Sequence, residues 1–353
     1  KYLYILLKPT KTKILQKTKS WLPIGDLAKT QDKMHQNKHQ NKNERHVPVL
    51  LDETLRYLDP RAGESYLDLT AGYGGHASSV LERTGSLAKA VLIDRDQEAI
   101  EVLRDKFVGS TISIRHQDFW TASQELFEEG QQFDLILADL GVSSPHLNEG
   151  RRGFAIQSSG PLDMRMDQSQ ALTAAVIVNS YSEAELADLL KRYGEEPKAK
   201  RIAQLIVAGR PFSSTDQLAV TVARAWRGRS RIHPATRTFQ ALRIAVNEEL
   251  DLLEKSLPIW IQLLAPGGRL VIISFHSLED RLVKQALQAV AGDRYDAELR
   301  LLTRRPVTAD PSEIVSNPRA RSAKLRAAAK IKKKGNAYAN SGKKQLPRLQ
   351  DPR

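Results

Sequence analysis

Leu67-Asp68-Leu69-Thr70-Ala71-Gly72-Tyr73-Gly74-Gly75-His76 decides the fold: a short apolar run ends in an acid and passes through three glycines into a helical pattern. Glycines at a strand-to-helix turn permit positive φ and let the backbone approach a ligand with no Cβ in the way. The loop lacks the Gly-Lys-Ser/Thr ending of a P-loop, which disfavours nucleotide triphosphate hydrolysis. Two ligands remain for such a turn. One is a dinucleotide, with its pyrophosphate at the helix N-terminus; the other is S-adenosylmethionine, which carries an ammonium and a sulfonium. An acid at position 68 suits the cationic ligand better.

Outward from this loop, short apolar runs at 66–68, 90–93, 112–114, 135–138 and 269–273 alternate with helical spacing, as in successive βα units of a parallel sheet. The second run leads to Asp94, twenty positions after Gly74, where a carboxylate accepts hydrogen bonds from the ribose of either ligand. The bland alternative for Asp68 and Asp94 is helix N-capping. Phe119, after the third run, is placed to flank an adenine ring and equally to sit in the core. After the fourth run, Asp139-Leu140-Gly141-Val142-Ser143-Ser144-Pro145-His146 sets an acid before a small turn-forming loop, where a transferred methyl should meet its acceptor. Ala265-Pro266-Gly267-Gly268 needs only turn geometry.

Between the fourth and fifth runs, residues 150–232 show helical spacing instead. Leu186, Leu189, Leu190 and Tyr193 follow i, i+3, i+4, i+7 behind a Ser182/Glu185 capping box. This insertion leaves and rejoins the sheet at the edge where ligand-binding loops emerge, so a helical lobe beside the sheet is expected. A further helix is expected over 277–290. The resulting division is a disordered basic extension at 1–44, a sheet domain at 45–149 and 233–316, the insertion at 150–232, and a basic tail at 317–353.

The chain has 353 residues, no cysteine, and a net charge of +13 from 54 Lys/Arg and 41 Asp/Glu. Without cysteine there is no disulfide framework, thiolate nucleophile, iron–sulfur cluster or Cys-ligated zinc, and a cytoplasmic enzyme is compatible. No apolar run is long enough to cross a bilayer. Residues 1–44 carry ten Lys against three acids and residues 317–353 twelve Lys/Arg against one, which leaves the rest near −5. A mildly acidic globule with two basic arms fits a polyanionic partner; plain solubility is the alternative. The chain begins with Lys, and Met34 shortly precedes the first patterned segment, so Met34 is expected to be the true start.

Six blocks in order resemble the ribosomal RNA small-subunit methyltransferase H (MraW) family. They are His46-Val47-Pro48-Val49-Leu50-Leu51, the Gly-Gly-His loop, 150–167 with Arg152-Gly153-Phe154, 233–240, 274–281, and Asn317-Pro318-Arg319-Ala320-Arg321-Ser322. The resemblance runs from about His46 to Arg326. It implies an α/β fold with a class I (Rossmann-like) methyltransferase sheet, S-adenosylmethionine as donor, and the N4 amine of a cytosine in small-subunit rRNA as acceptor. It also implies that Gly74, Gly75 and His76 contact the donor, that Asp94 holds its ribose, and that Phe119 and Asp139 line its adenosyl side. Where the family usually has Gln this chain has His146, which leaves that contact in doubt.

Asp139, with Ser143, Ser144 and Pro145, is the candidate to accept a hydrogen bond from the attacking amine. Arg237, His276, Arg319 and Arg321 are candidates for the substrate, small-subunit rRNA or a 30S-type particle; for His276 a histidine satisfied by backbone is the even alternative. Arg151, Arg152, Arg165, Arg201, Arg224, Arg227, Arg229 and Arg231 in the insertion are weaker phosphate candidates. No metal ligand is assigned, and a homodimer is compatible. Methylation of DNA or another RNA, a dinucleotide dehydrogenase, and a non-catalytic RNA-binding module are the competing readings.

Overall fold

The computed structural model describes residues 48–228, 232–292 and 296–331. The basic extension, Met34, His46, Val47, Arg229, Arg231 and the lysine run after Ile331 lie outside the described residues. Seven strands form one sheet in the order β3-β2-β1-β4-β5-β7-β6. They are β1 (Tyr66–Asp68), β2 (Ala90–Asp94), β3 (Ser113–His116), β4 (Phe133–Asp139), β5 (Leu264–Ser274), β6 (Leu299–Leu301) and β7 (Lys324–Lys330). The first five pair in parallel, and β7 runs antiparallel to both β5 and β6. This is the class I methyltransferase sheet. Its parallel strands bring their carboxyl ends to one rim, which fixes where ligands meet the fold.

Side-chain alternation with period two gives the sheet two buried faces. Val91, Leu67, Ile136, Leu270 and Ala328 lie in register on one face. That face packs under α4 (Phe119–Glu128), α11 (Glu249–Gln262) and α12 (Ser277–Ala289). Trp260 of α11 is fully buried there and donates its indole N–H to Ser123 Oγ at 2.9 Å. Tyr66, Leu92, Leu135, Leu137, Val271 and Ala327 face the other way, under α1 (Leu51–Leu58), α2 (Gly75–Thr84) and α3 (Gln97–Lys106).

The stretch between β4 and β5 carries α5 (Ser144–Asn148), α6 (Ala174–Ser180), α7 (Glu183–Gly194), α8 (Ala199–Gly209), α9 (Thr215–Ala223) and α10 (Thr236–Asn247). Leu186, Leu189 and Leu190 of α7 pack in a separate core with Ile202 and Ile206 of α8, Leu218 and Val222 of α9, and Phe239, Leu242 and Val246 of α10. The capping box is present, with Ser182 N–H donating to Glu185 Oε2 and Glu185 N–H donating to Ser182 Oγ. Helix α10, expected with the sheet, contributes its apolar side to this helical core.

The expected basic tail needs correction. Residues 318–322 form a short 3₁₀ turn, and Lys324–Lys330 is an inner strand between β5 and β6. Its sequence, Lys-Leu-Arg-Ala-Ala-Ala-Lys, has weak strand preference; tertiary pairing and burial of Leu325, Ala327 and Ala328 override it. Its cations are also paired within the protein: Arg326 Nε reaches Asp280 Oδ1 at 2.7 Å and Lys330 Nζ reaches Glu298 Oε2 at 2.7 Å.

A buried ion network ties the helical part to the sheet. Arg152 is 1% exposed. It donates to Asp96 Oδ2 at 3.2 Å and Glu98 Oε2 at 3.3 Å on the sheet side, and to the Arg165 and Met166 carbonyls at 3.2 and 3.0 Å on the other. Arg165 in turn forks onto both oxygens of Asp163 at 2.8 Å each. Arg152 and Arg165, expected as phosphate contacts, are therefore held by internal partners. Removing a guanidinium from such a network strands the carboxylate it neutralised. Arg152→Met should lower unfolding free energy by about 3–5 kcal/mol in urea titration, whereas Arg201→Met, which breaks no ion pair, should stay within ~0.5 kcal/mol of the parent.

Candidate active site

Three carboxylates stand at the rim where β1, β2 and β4 end. Tyr66 and Asp68, two apart on one strand face, meet: the Tyr66 hydroxyl donates to Asp68 Oδ2 at 2.7 Å, and the Thr70 N–H donates to Oδ1 at 3.2 Å. Burial pushes the Asp68 carboxyl up to about 7, against those two donors and with help from the Asp94 charge. Asp94 takes the Gly72 N–H at 2.7 Å and the Asp96 N–H at 2.8 Å. Burial raises it above the ordinary carboxylate range despite both bonds. Burial, then the charges of Asp68 and Glu279, hold Asp139 well above that range.

Asp139 Oδ1 is out of contact with water and receives no hydrogen bond. Its Oδ2 lies 3.5 Å from His76 Nδ1. His76 Nε2 sits 3.0 Å from the Val49 carbonyl, which only accepts, so this nitrogen carries the proton and Nδ1 faces the acid. No Lys or Arg is among the groups that act on the Asp68, Asp94 or Asp139 carboxyls. Neither Asp68 nor Asp94 is a helix cap. Asp96 is the residue that caps α3, accepting from the Glu98 N–H at 3.1 Å.

The glycine loop is shaped by what packs against it. Gly74 has φ +72, and a Cβ there would lie 2.9 Å from Leu103 Cδ2. A Cβ on Gly75 would lie 2.7 Å from Pro48 Cγ. Backbone bonds from Leu69 N–H to Leu137 O and from Ala71 N–H to Ile93 O stitch the loop between its neighbours. Lys106, which sequence reasoning missed, donates to the Gly74 carbonyl at 2.8 Å. The segment before α1 closes over the loop and is held by α13 (Pro311–Ser316), through the Leu50 N–H to Glu313 Oε1 at 2.7 Å. Arg319 and Arg321 follow α13 in the 3₁₀ turn, the first half-buried and the second exposed.

The loop after Asp139 is braced by His146. Its Nδ1 accepts from the Ser143 N–H at 3.2 Å and lies 2.9 Å from Ser143 Oγ, while Nε2 stands 2.7 Å from Asp96 Oδ2. His146 is 4% exposed and its ring leans on Phe154 at 4.9 Å. Burial works against ionisation of Asp96, but His146 and Arg152 hold its carboxyl below the ordinary value. The histidine expected near the donor thus positions Ser143, and the helix of Ser144 and Pro145, from below. Phe119 is half-buried with Trp260 edge-on against it at 5.5 Å, so one face belongs to the core.

His276 is satisfied by backbone at one ring nitrogen, while its buried Nε2 makes no hydrogen bond. It caps α12, with Nδ1 accepting from the Glu279 N–H at 3.3 Å and Nε2 3.2 Å from Glu279 Oε1. Glu249, His276 and Glu279 put ligand atoms within 4.8 Å of one another. The Arg243 guanidinium already bonds both Glu249 oxygens at 2.9 and 2.7 Å and stands 3.9 Å from Glu279, so the cluster has its own cation. Arg237 donates to the Glu195 carbonyl at 2.9 Å. No helix among the described residues is long and apolar enough to cross a membrane.

Comparison with known proteins places this geometry in a family. The profile of the MraW methylase family matches residues 43–331. The ribosomal RNA small subunit methyltransferase H of Acidobacterium capsulatum is 48% identical over 297 residues, covering 81% of this chain and 99% of that protein. Its namesakes from Nitratidesulfovibrio vulgaris and a Cyanothece species are each 48% identical, over 81% of this chain and 95% of theirs. Among solved structures, a putative rRNA-methylase from Clostridium thermocellum is similar at 10% identity and TM-score 0.41, over 81% of this chain and 99% of that one. With its profile matched over most of its length and relatives near half identical, the chain belongs to the MraW methylase family.

Proposed function

We propose that the chain transfers a methyl group from S-adenosylmethionine to the N4 amine of a cytosine in small-subunit ribosomal RNA, in the cytoplasm where such particles assemble. The observation that carries this reading is the Asp139 carboxylate, whose Oδ1 receives no hydrogen bond, standing at the same rim as Asp68 and Asp94, neither of which is paired with a Lys or Arg among the described residues. Three acids, once ionised, repel a pyrophosphate and attract an ammonium and a sulfonium. A dinucleotide is disfavoured on that ground. The donor supplies an electrophilic methyl on sulfonium; the protein supplies position and charge.

In this reading Asp94 holds the donor ribose, Gly74 and Gly75 let it approach the loop, and Asp68 and Asp139 face its cationic part. Asp139 Oδ1 also accepts a hydrogen bond from the cytosine amine. That amine's lone pair is conjugated with the ring, and an acceptor for its N–H stabilises the positive charge that develops as nitrogen attacks. His76 Nδ1, 3.5 Å from the other oxygen, is placed to share the proton the amine releases. The loop from Gly141 to Pro145, braced by His146, gives the splayed base its seat, and the helical part grips the flanking RNA. Names of close relatives support the substrate class.

Asp139→Asn should cut kcat for tritium transfer to small-subunit rRNA by about 10²–10³ while RNA affinity stays within twofold; unchanged kcat removes Asp139 from the chemistry. Asp94→Ala should abolish S-adenosylhomocysteine binding in calorimetry, and an unaltered affinity contradicts the ribose role. Asp68 is protonated below about 7 and must ionise to pair with a cation. Donor affinity should therefore rise from pH 5.5 to 7.5 and then level, with proton release seen on calorimetry at pH 6 in two buffers of different ionisation enthalpy. In Asp68→Asn the release should shrink.

A further inference from the structure

One peptide unit touches both the donor loop and the C-terminal part of the chain. Its carbonyl, on Val49, stands 3.0 Å from His76 Nε2, and its N–H, on Leu50, donates to Glu313 Oε1 at 2.7 Å. The contacts run in series from carboxylate to peptide to imidazole, and on to Asp139 Oδ2, 3.5 Å from His76 Nδ1. Val49, Leu50 and His76 are all buried, so water competes little for the peptide.

Two features show that this series is held against local preference. Leu50 has φ +53, a left-handed conformation that disfavours any residue with a Cβ and persists where surrounding contacts over-determine it. Glu313 is the third residue of α13, and the Asp310 cap accepts from its N–H at 2.8 Å. A glutamate at that position ordinarily completes a capping box by reaching back to the N–H of the cap residue. Here its side chain turns instead to Leu50, 263 residues away. Burial, and then the charges of Glu53, Asp310 and Asp52, raise the Glu313 carboxyl above the ordinary range against the Leu50 N–H, so a carboxylate is costly there. Support of the α1 N-terminus does not account for it, because Asp52 and Glu53 already place acids in that first turn.

The peptide unit carries the effect to His76. An N–H that donates to a carboxylate polarises its amide, and the amide oxygen becomes a stronger acceptor. That oxygen holds the His76 Nε2 proton, which fixes the tautomer and raises the basicity of Nδ1, as a carboxylate hydrogen-bonded behind a histidine does. Methyl transfer makes the N4–carbon bond, breaks the carbon–sulfur bond and leaves one surplus proton on nitrogen. We propose that Glu313 is a positioning residue for this transfer: through the Val49–Leu50 peptide it orients His76 and strengthens Nδ1 as the acceptor of that proton. The Nε2 proton stays in place throughout. The resulting imidazolium has Asp139 on one side and the polarised carbonyl on the other. The inference rests on the methyl-transfer reading above and extends it to a residue of the C-terminal segment.

A double-mutant cycle on the full chain tests it, read as kcat and KM for tritium transfer to small-subunit rRNA. Glu313→Ala should lower kcat about tenfold with donor and RNA KM within twofold. Glu313→Gln keeps an acceptor for the Leu50 N–H without the charge, and should recover kcat to within about threefold of wild type. In a His76→Gln background Glu313→Ala should have no further effect, because its action passes through that ring. The same fractional loss in both backgrounds, or a lower melting temperature with kcat unchanged, marks a helix support only and overturns the proposal. NMR of the free protein with labelled histidine gives a readout that does not depend on activity. The signal that disappears in His76→Gln identifies the ring; its Nε2 proton should resonate downfield, shift upfield in Glu313→Ala, and shift less in Glu313→Gln. A His76 signal indifferent to both substitutions overturns the relay even where kcat falls. S-adenosylhomocysteine affinity within twofold of wild type reports that the two Glu313 variants are folded. If wild type transfers no methyl to small-subunit rRNA, the function reading falls, while the NMR shift still decides whether Glu313 acts on His76.

Discussion

Three carboxylates are gathered at one edge of a sheet with no Lys or Arg among the described residues paired to them, and the topology of the fold holds that arrangement. Asp68, Asp94 and Asp139 end three parallel strands in contact, so the topology alone forces them together. Each is raised above the usual carboxylate range, chiefly by burial. A protein under pressure only for stability would place a lysine here or lose the acids. The stranded charge becomes favourable when a cation arrives. In the proposed reading, the cost of ionising these acids in the free site favours a cationic donor over a phosphate-bearing one.

One of the links between the donor edge and the helical part runs through the turn after β2. Asp94 accepts the Asp96 N–H, and the Asp96 side chain bonds to His146 and Arg152. One residue, Arg95, separates the expected ribose anchor from the ion network that braces the loop after β4 and the start of the helical part. The Asp96 carboxyl is held low by His146 and Arg152, whereas burial outweighs the two N–H donors of Asp94 and the His76 ring beside Asp139. The same residue type therefore does opposite work at adjacent positions: one acid welds the frame and the others wait for a ligand.

Most of the parallel sheet was legible in the sequence, because a strand buried on both faces reads as a continuous apolar run and ends abruptly at an acid. Asp68, Asp94 and Asp139 could be found that way. The ends were less exact: β5 begins at Leu264, ahead of the expected 269, because its register breaks where Gly267 turns at φ +87. β7 was not legible, since an alanine- and lysine-rich segment carries no strand signal of its own and acquires one only by pairing with β5. The roles of His146 and Arg152 were hidden for a different reason. A polar residue in a loop looks the same in sequence whether it faces solvent or a buried partner fifty residues away. For Tyr66 the signal was present: two residues from Asp68 on one strand, it had to share that acid's face.

The correction to the tail changes how the RNA is held. Of the basic residues that sequence alone offered to a polyanion, Arg152, Arg165 and Arg326 are buried or half-buried in ion pairs, and Lys330 pairs with Glu298. Such cations cannot displace the counterions condensed on a nucleic acid, because carboxylates within the protein already neutralise them. What remains exposed for phosphate among the described candidates is a scattered set that includes Arg201, Arg224, Arg227 and Arg321. Affinity drawn from few phosphates must be supplemented by contacts to bases.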